Sequence, residues 1–236
     1  MKENNSFFRG IVDGLPICFG YLSVAFAFGI FAVENGLTAL EAVLISMTNV
    51  TSAGQLAAVP IITGAGSFIE LVVAQLVINL RYALMSVSLS QKLGKTVRAF
   101  DRFVIAFVNT DEVFGVASGQ RENVGRNYLY GLILTPYIGW SAGTAIGALA
   151  GNILPDSVTS ALGIAIYGMF IAIVVPPAKK EKTVAAVSLI AIALGCAFRY
   201  IPFLSHIPSG FVIIICAALA SALLAIAAPI KTEEAE

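Results

Sequence analysis

The sequence predicts an all-α, polytopic integral membrane protein, a helical bundle of about six to eight hydrophobic segments forming one transmembrane domain over 1–236. Two observations carry that prediction. Of 236 residues, 58% are hydrophobic and only 12% charged, with a mean hydropathy of +0.89; a soluble domain carries about 25% charged residues. The charges are also clustered. Ala42 to Ile69, Asn127 to Pro155, Ser157 to Ala178 and Tyr200 to Ile230 contain no Asp, Glu, Lys or Arg, and each run reaches the roughly 20 residues a membrane-spanning helix needs.

The segments follow in order. Segment 1 covers about 11–33, with Asp13 and Gly14 near its entrance and Pro16 in its first turn, where proline is tolerated. A basic flank precedes it, but its apolar run exceeds a signal-peptide core and lacks a small-x-small cleavage site, so it reads as a retained first span. Segment 2, about 39–63, groups Asn49, Thr51, Ser52, Gly54 and Gln55 before Pro60. Polar and small residues at mid-length predict a broken helix over 42–63, whose freed backbone lines a cavity or buries against protein; the alternative is an intact helix with a polar packing face. Segment 3, 67–91, holds Glu70, Gln75, Asn79 and Arg81. Glu70 and Arg81 fall within about 20° of one helix face but three turns apart, too far to pair. Segment 4, about 101–119, is short and carries Asn109, Asp111 and Glu112 near its middle.

Segments 5 (127–150), 6 (157–176), 7 (183–198) and 8 (209–230) are ordinary apolar spans. Gly139, Gly143, Gly147 and Gly151 recur every four residues, a small stripe that lets another helix approach closely. Packing within the chain is the expected use; a second copy or another subunit is the alternative. Cys18, Cys196 and Cys216 lie in apolar segments without metal-ligand spacing and read as small buried hydrophobes. No metal or cofactor is expected. His206 sits beside Pro202 and Pro208 and is assigned no role. The balance of 14 basic and 14 acidic residues gives no electrostatic reason to invoke nucleic acid.

A charge at membrane depth costs about 2.5–3.5 kcal/mol even on lenient insertion scales, so it usually finds a partner. Arg81 is expected to be offset by Asp111 or Glu112, with Glu70 on the same helix face as a further member of the charged set. Charge also bears on topology. Eight full crossings from a cytoplasmic N-terminus would put Lys92, Lys95, Arg98 and Arg102 outside, against the positive-inside rule. With segment 2 re-entrant from outside and segment 4 re-entrant from inside, those four residues and nearly all other bases face the cytoplasm. Segments 2 and 4 share an Asn-Thr cluster, and two broken segments entering from opposite faces are a signature of inverted halves around a midplane site.

Four ordered motifs carry a resemblance: FFRGIVDGLPICFGYLSVAFAFG at the start, TSAGQLAAV in segment 2, INLRYALMSVSL in segment 3 and NTDEVFGVAS in segment 4. Together they resemble the AzlC family, large subunits of bacterial branched-chain amino-acid permeases. The likeness is good over about 1–120 and rests mainly on hydropathy and length beyond. It implies a transporter rather than an enzyme, in a bacterial cytoplasmic membrane. The implied activity is export of leucine, isoleucine, valine and similar neutral amino acids, driven by the proton gradient with a small AzlD-type membrane partner. Relatives often read Asn-Leu-Arg-His where this chain has Asn79, Leu80, Arg81 and Tyr82, so a proton role for that histidine does not carry over. They often read Tyr-Ala-Gly-x-x-Gln where Thr51 and Ser52 precede Ala53, Gly54 and Gln55 here.

A hydrophobic amino acid presents a carboxylate, an ammonium and an apolar side chain. Half-helix N-termini receive the first, unwound carbonyls or a carboxylate the second. The expected substrate-binding residues are therefore Asn49, Thr51, Ser52, Gly54, Gln55 and Asn79, with Arg81, Asp111, Glu112 and Glu70 in coupling. A channel or carrier for another small solute is the alternative, since polar residues at depth also serve conduction. An intramembrane enzyme is disfavoured, because no His-Glu-x-x-His or Gly-x-Ser-x-Gly pattern is present.

Overall fold

The structure, a computed structural model, describes residues 3–150, 171, 174–175, 178–207 and 209–227. Segment 6 falls almost wholly outside the described residues, as does Gly151. What is described is helical apart from two two-residue strands. Among the described residues four helices are long and apolar enough to cross a membrane: α1 (Phe7–Glu34), α4 (Phe68–Ser90), α7 (Arg126–Ala150) and α8 (Lys182–Tyr200). The chain divides into two compact units, Met1–Val59 with Ile78–Ile166, and Pro60–Val77 with Tyr167–Glu236.

In the first unit α1 begins at Phe7, where Ser6 caps it by accepting a hydrogen bond from the Arg9 N–H at 3.4 Å. The helix therefore starts earlier than hydropathy suggests. Pro16 lies inside it rather than in its first turn, and the Val12 carbonyl loses its i+4 donor there. The helix ends at Asn35, and Gly36 takes the left-handed conformation (φ 92°) that turns the chain.

Helices α1 and α7 run side by side in the same direction, as the contacts of α7's glycines demonstrate. Gly131 abuts Phe7, Gly139 Cys18, Gly143 Leu22 and Gly147 Phe26, with the numbers rising together. The stripe thus meets a helix of its own chain, and backbone lies where side chains would otherwise be.

Both broken segments double back. Helix α2 (Ala39–Thr48) starts with a capping box, Thr38 and Glu41 exchanging hydrogen bonds, and stops at Asn49. Helix α3 (Ser52–Thr63) then returns. Gln55 reaches Ser46 at 2.6 Å, while Val59 joins Ala42, Ala32 and Leu37 in one apolar cluster. Residues 46 and 55 touch and residues 42 and 59 share one cluster with Ala32 and Leu37, so α2 and α3 form a hairpin open toward the C-terminal end of α1.

The second hairpin opens the other way. Helix α5 (Ala99–Phe107) begins where the Arg98 N–H donates to Asp101 at 2.8 Å and Tyr130 donates to the same carboxylate at 2.7 Å. The chain turns at 108–110, and α6 (Asp111–Ser118) leads back until Gln120 donates to the Tyr128 hydroxyl at 2.8 Å. Tyr128 and Tyr130 both sit in the first turns of α7.

A small sheet marks that end of the unit. Strand β1 (Glu3–Asn4) pairs in parallel with β2 (Asn123–Val124), and Leu93 bridges to Val124. The start of α1, the start of α7 and the chain leaving α4 are therefore gathered together. Helix α4 arrives at the end from which α1 and α7 depart, and so runs opposite to them.

In the second unit α8 packs on α9 (Ser209–Ala227). In the turn between them His206 Nδ1 lies 2.9 Å from the Pro202 carbonyl, and the side chain is exposed. Cys196, expected to be buried, is exposed on α8: apolarity selects a helix for a membrane or a core alike, and does not say which face turns inward.

Candidate functional site

The two hairpin tips, 49–51 and 108–110, meet. Between them lies a cavity of about 210 Å³, walled by Thr48 to Thr51 from one tip, Asn109 and Thr110 from the other, Asn79 and Tyr82 of α4, and the end of α5 at Ala106 and Phe107. Sites for drug-sized ligands run to about 300–1,000 Å³, so this one suits a smaller solute. Its wall is mixed, with hydroxyls and amides from the tips and apolar surface from Val50 and Phe107.

Each tip is built the same way. Thr110 caps α6, its Oγ1 accepting from the Val113 N–H at 3.4 Å. The Tyr21 hydroxyl of α1 stands 2.6 Å from that oxygen and also bonds the Glu112 carboxylate. Tyr21 has one hydrogen to donate; when the carboxylate takes it, the Thr110 hydroxyl donates in turn to the Tyr21 oxygen. Its ring is wedged edge-on against Trp140, centroids 5.0 Å apart. At the other tip Thr51, just before α3, is 3.0 Å from the Tyr82 hydroxyl of α4. Asn109 is buried; its Nδ2 donates to Ser86 Oγ at 3.2 Å and its Oδ1 has no partner among the described residues.

Arg81 pairs with Asp111, Nη1 to Oδ2 at 2.8 Å. Its other terminal nitrogen donates to the Tyr82 hydroxyl at 3.0 Å, and the guanidinium lies 4.8 Å from that ring's centroid. The two carboxylates at the start of α6 thus have different company: Asp111 faces a cation and Glu112 a tyrosine. The ion pair is open, with side chains 53% and 45% exposed in the chain alone. Both carboxylates stand in the first turn of α6, where the helix dipole favours negative charge.

Of the residues expected to bind substrate, Asn49, Thr51 and Asn79 line the cavity. Ser52 and Gly54 lie in the first turn of α3, outside that wall. Gln55 points elsewhere: its Nε2 donates to Ser46 Oγ, itself 2.6 Å from Thr144 Oγ1 of α7, in a fully buried network that fastens the first hairpin to α7. Glu70 belongs to the second unit, where it is buried in the first turn of α4 and its N–H bonds Ser67 Oγ at 3.1 Å.

Sequence reasoning did not assign roles to Tyr21, Ser46, Tyr82 or Thr144. Thr110 carried a readable signal, a threonine followed by Asp-Glu at a helix start. The others act through partners up to 98 residues away, and no spacing in the sequence marks them.

Comparison with known proteins bears on this arrangement. The family profile described as AzlC protein matches residues 16–154. The chain is 36% identical over 228 residues to an uncharacterized membrane protein of Archaeoglobus fulgidus, covering 95% of this chain and 96% of that protein. It is 27% identical over 197 residues to the inner membrane protein YgaZ of Escherichia coli, 80% of each chain. It is 25% identical over 171 residues to the branched-chain amino acid transport protein AzlC of Bacillus subtilis, 71% of this chain and 66% of that one. No solved structure gives a significant match.

Proposed function

The chain belongs to the AzlC family, and from that premise we propose that it is a secondary transporter of branched-chain and similar neutral amino acids. The observation that carries the reading is the meeting of two oppositely opening hairpins at a small polar cavity. Discontinuous helices converging on a central site suit a solute that must be held without water and released to either side. The B. subtilis relative is named for branched-chain amino acid transport, and the cavity has the volume and mixed wall such a solute needs.

In this reading Thr51, just before α3, takes the substrate carboxylate, helped by the dipole of that half-helix. The unwound carbonyls at 49–50 and the Asn109 side chain take the ammonium. Val50 and Phe107 contact the aliphatic tail without directional demands, which tolerates leucine, isoleucine and valine alike. Gln55 acts by holding the hairpin on α7. Arg81 and Asp111 couple the cycle: a proton taken by Asp111 frees the guanidinium, and its return restores the pair.

Orientation follows from charge. Arg9, Lys92, Lys95, Arg98, Arg102, Arg121 and Arg126 belong to the end of the first unit that holds β1 and β2, while Glu34 and Glu41 belong to the other. The positive-inside rule assigns the basic end, and with it the N-terminus, to the cytoplasm. Transport is outward across the cytoplasmic membrane, proton-driven, and shared with a small AzlD-type subunit.

The test is efflux from cells loaded with leucine or valine through a dipeptide, with and without a co-expressed small partner. Efflux several-fold above empty-vector cells is expected, and acceleration by an inward proton gradient. Efflux equal to the vector control would defeat the proposal.

A further inference from the structure

A second cavity, about 310 Å³, adjoins the first across Ala106 and Asn109, which line both. It lies between the C-terminal half of α4 and helix α5. Its wall is apolar at Leu93, Phe103 and Ile105, with the hydroxyls of Ser86 and Ser90 along one side and Arg102 at the end nearest the small sheet. No carboxylate of the described residues pairs with Arg102.

The geometry points to this groove as the solute's route between the tip site and the end of the protein that carries the N-terminus, with the Asn109–Ser86 hydrogen bond as the latch between the two chambers. Three features support it. The groove and the site share a wall made of one small side chain, Ala106, and one amide, Asn109. An apolar wall beside a row of hydroxyls matches a solute with an aliphatic tail and a charged head. Arg102 supplies at the mouth the positive charge that draws a carboxylate in. The latch is a single amide–hydroxyl bond of 3.2 Å, and such a bond contributes only about 0.5–1.5 kcal/mol net. An arriving carboxylate that accepts from Asn109 Nδ2 in place of Ser86 opens it at little cost. The route rests on the transport reading for its solute, but not for its existence.

The experiment uses Ser86→Cys and Ser90→Cys in the full chain, in vesicles of both orientations, with a membrane-impermeant charged thiosulfonate. The parent chain, with Cys18, Cys196 and Cys216, is the blank. Both cysteines are expected to react from the N-terminal side only, Ser90→Cys faster, and saturating leucine is expected to slow Ser86→Cys at least threefold. Ala106→Trp is expected to cut leucine flux at least tenfold while Ser90→Cys still reacts. Reaction only from the opposite side, or none at either position in a chain that moves leucine, would overturn the route while leaving the function standing. One-sided reaction in a chain that moves no branched-chain amino acid supports the route and overturns the substrate reading alone.

Discussion

The same substitution, glycine to alanine, is expected to act in opposite senses at two positions of the α1–α7 pair. A methyl on Gly143 would stand 2.5 Å from the Leu22 carbonyl oxygen and 3.0 Å from the Leu22 Cα and Ala25 Cβ. That is roughly 1 Å inside ordinary contact, against backbone that has no rotamer to change. The helices must separate, and the neighbouring contacts at Gly139 and Gly147 separate with them. Overpacking of this kind costs about 1–3 kcal/mol. Gly20, on α1, meets nothing within 4 Å, and there alanine gains up to about 1 kcal/mol of helix propensity. Thermal unfolding in detergent, followed by reactivity of the part-buried Cys18 thiol, measures both. Gly143→Ala should lower the midpoint and Gly20→Ala should hold or raise it. Midpoints that move together in either direction would refute the assignment of the stripe to internal packing, as would a Gly143→Ala chain of unchanged stability.

Three further outcomes follow from the site. Arg81→Gln and Asp111→Asn should each abolish leucine efflux and lower expression, and the double substitution should recover expression but not efflux, because removing one member strands a charge and removing both does not; recovered efflux would exclude the pair from coupling. Ser46→Ala leaves the buried Gln55 amide and the Thr144 hydroxyl without the oxygen they share, so unfolding should become easier by about 1–3 kcal/mol, whereas Ser46→Thr, if it loses as much, would point to packing instead. Cysteines at Asn35 and Lys95 should react with impermeant thiol reagents from opposite faces, and reaction of both from one face would rule out the re-entrant topology.

The breaks were legible because backbone chemistry is local. A cluster of Asn, Thr, Ser and Gly inside an apolar run offers hydrogen bonds that compete with the helix, and Thr110 followed by two acids is a helix start in any context. Thr38 with Glu41 three residues on is the same kind of start for α2, a signal the hydropathy reading did not use. The partner of Arg81 was legible because a buried or membrane-exposed charge has few alternatives. What could not be read was which side chains the tips would find. Tyr21 and Thr110 are 89 residues apart, and nothing in the spacing of either joins them. Gln55 was expected at the substrate because it stands beside the break, yet a helix rotates each successive residue by about 100°, and that rotation turns it toward α7. Pro16 misled for a simpler reason: hydropathy cannot see Ser6, and a polar cap begins the helix before the apolar run does.

The way the tips are held says where movement costs least. Each is fastened by a tyrosine on an unbroken helix to the threonine that begins its returning half: Tyr21 to Thr110, Tyr82 to Thr51. These bonds are neutral or shared, and each contributes about 0.5–1.5 kcal/mol net. The α1–α7 contact, by contrast, is backbone against backbone along its length, with glycine at each crossing. A change of access that kept α1 and α7 fixed and exchanged tyrosine partners at one tip would cross only small barriers, while one that moved α1 against α7 would break the densest packing in the unit. Tyr21 has a second acceptor ready in Glu112 and can release its threonine without losing its own donated hydrogen bond, whereas Tyr82 on leaving Thr51 keeps only the bond it accepts from Arg81. Tyr21 thus links Glu112, in the first turn of α6, to the hairpin tip at Thr110.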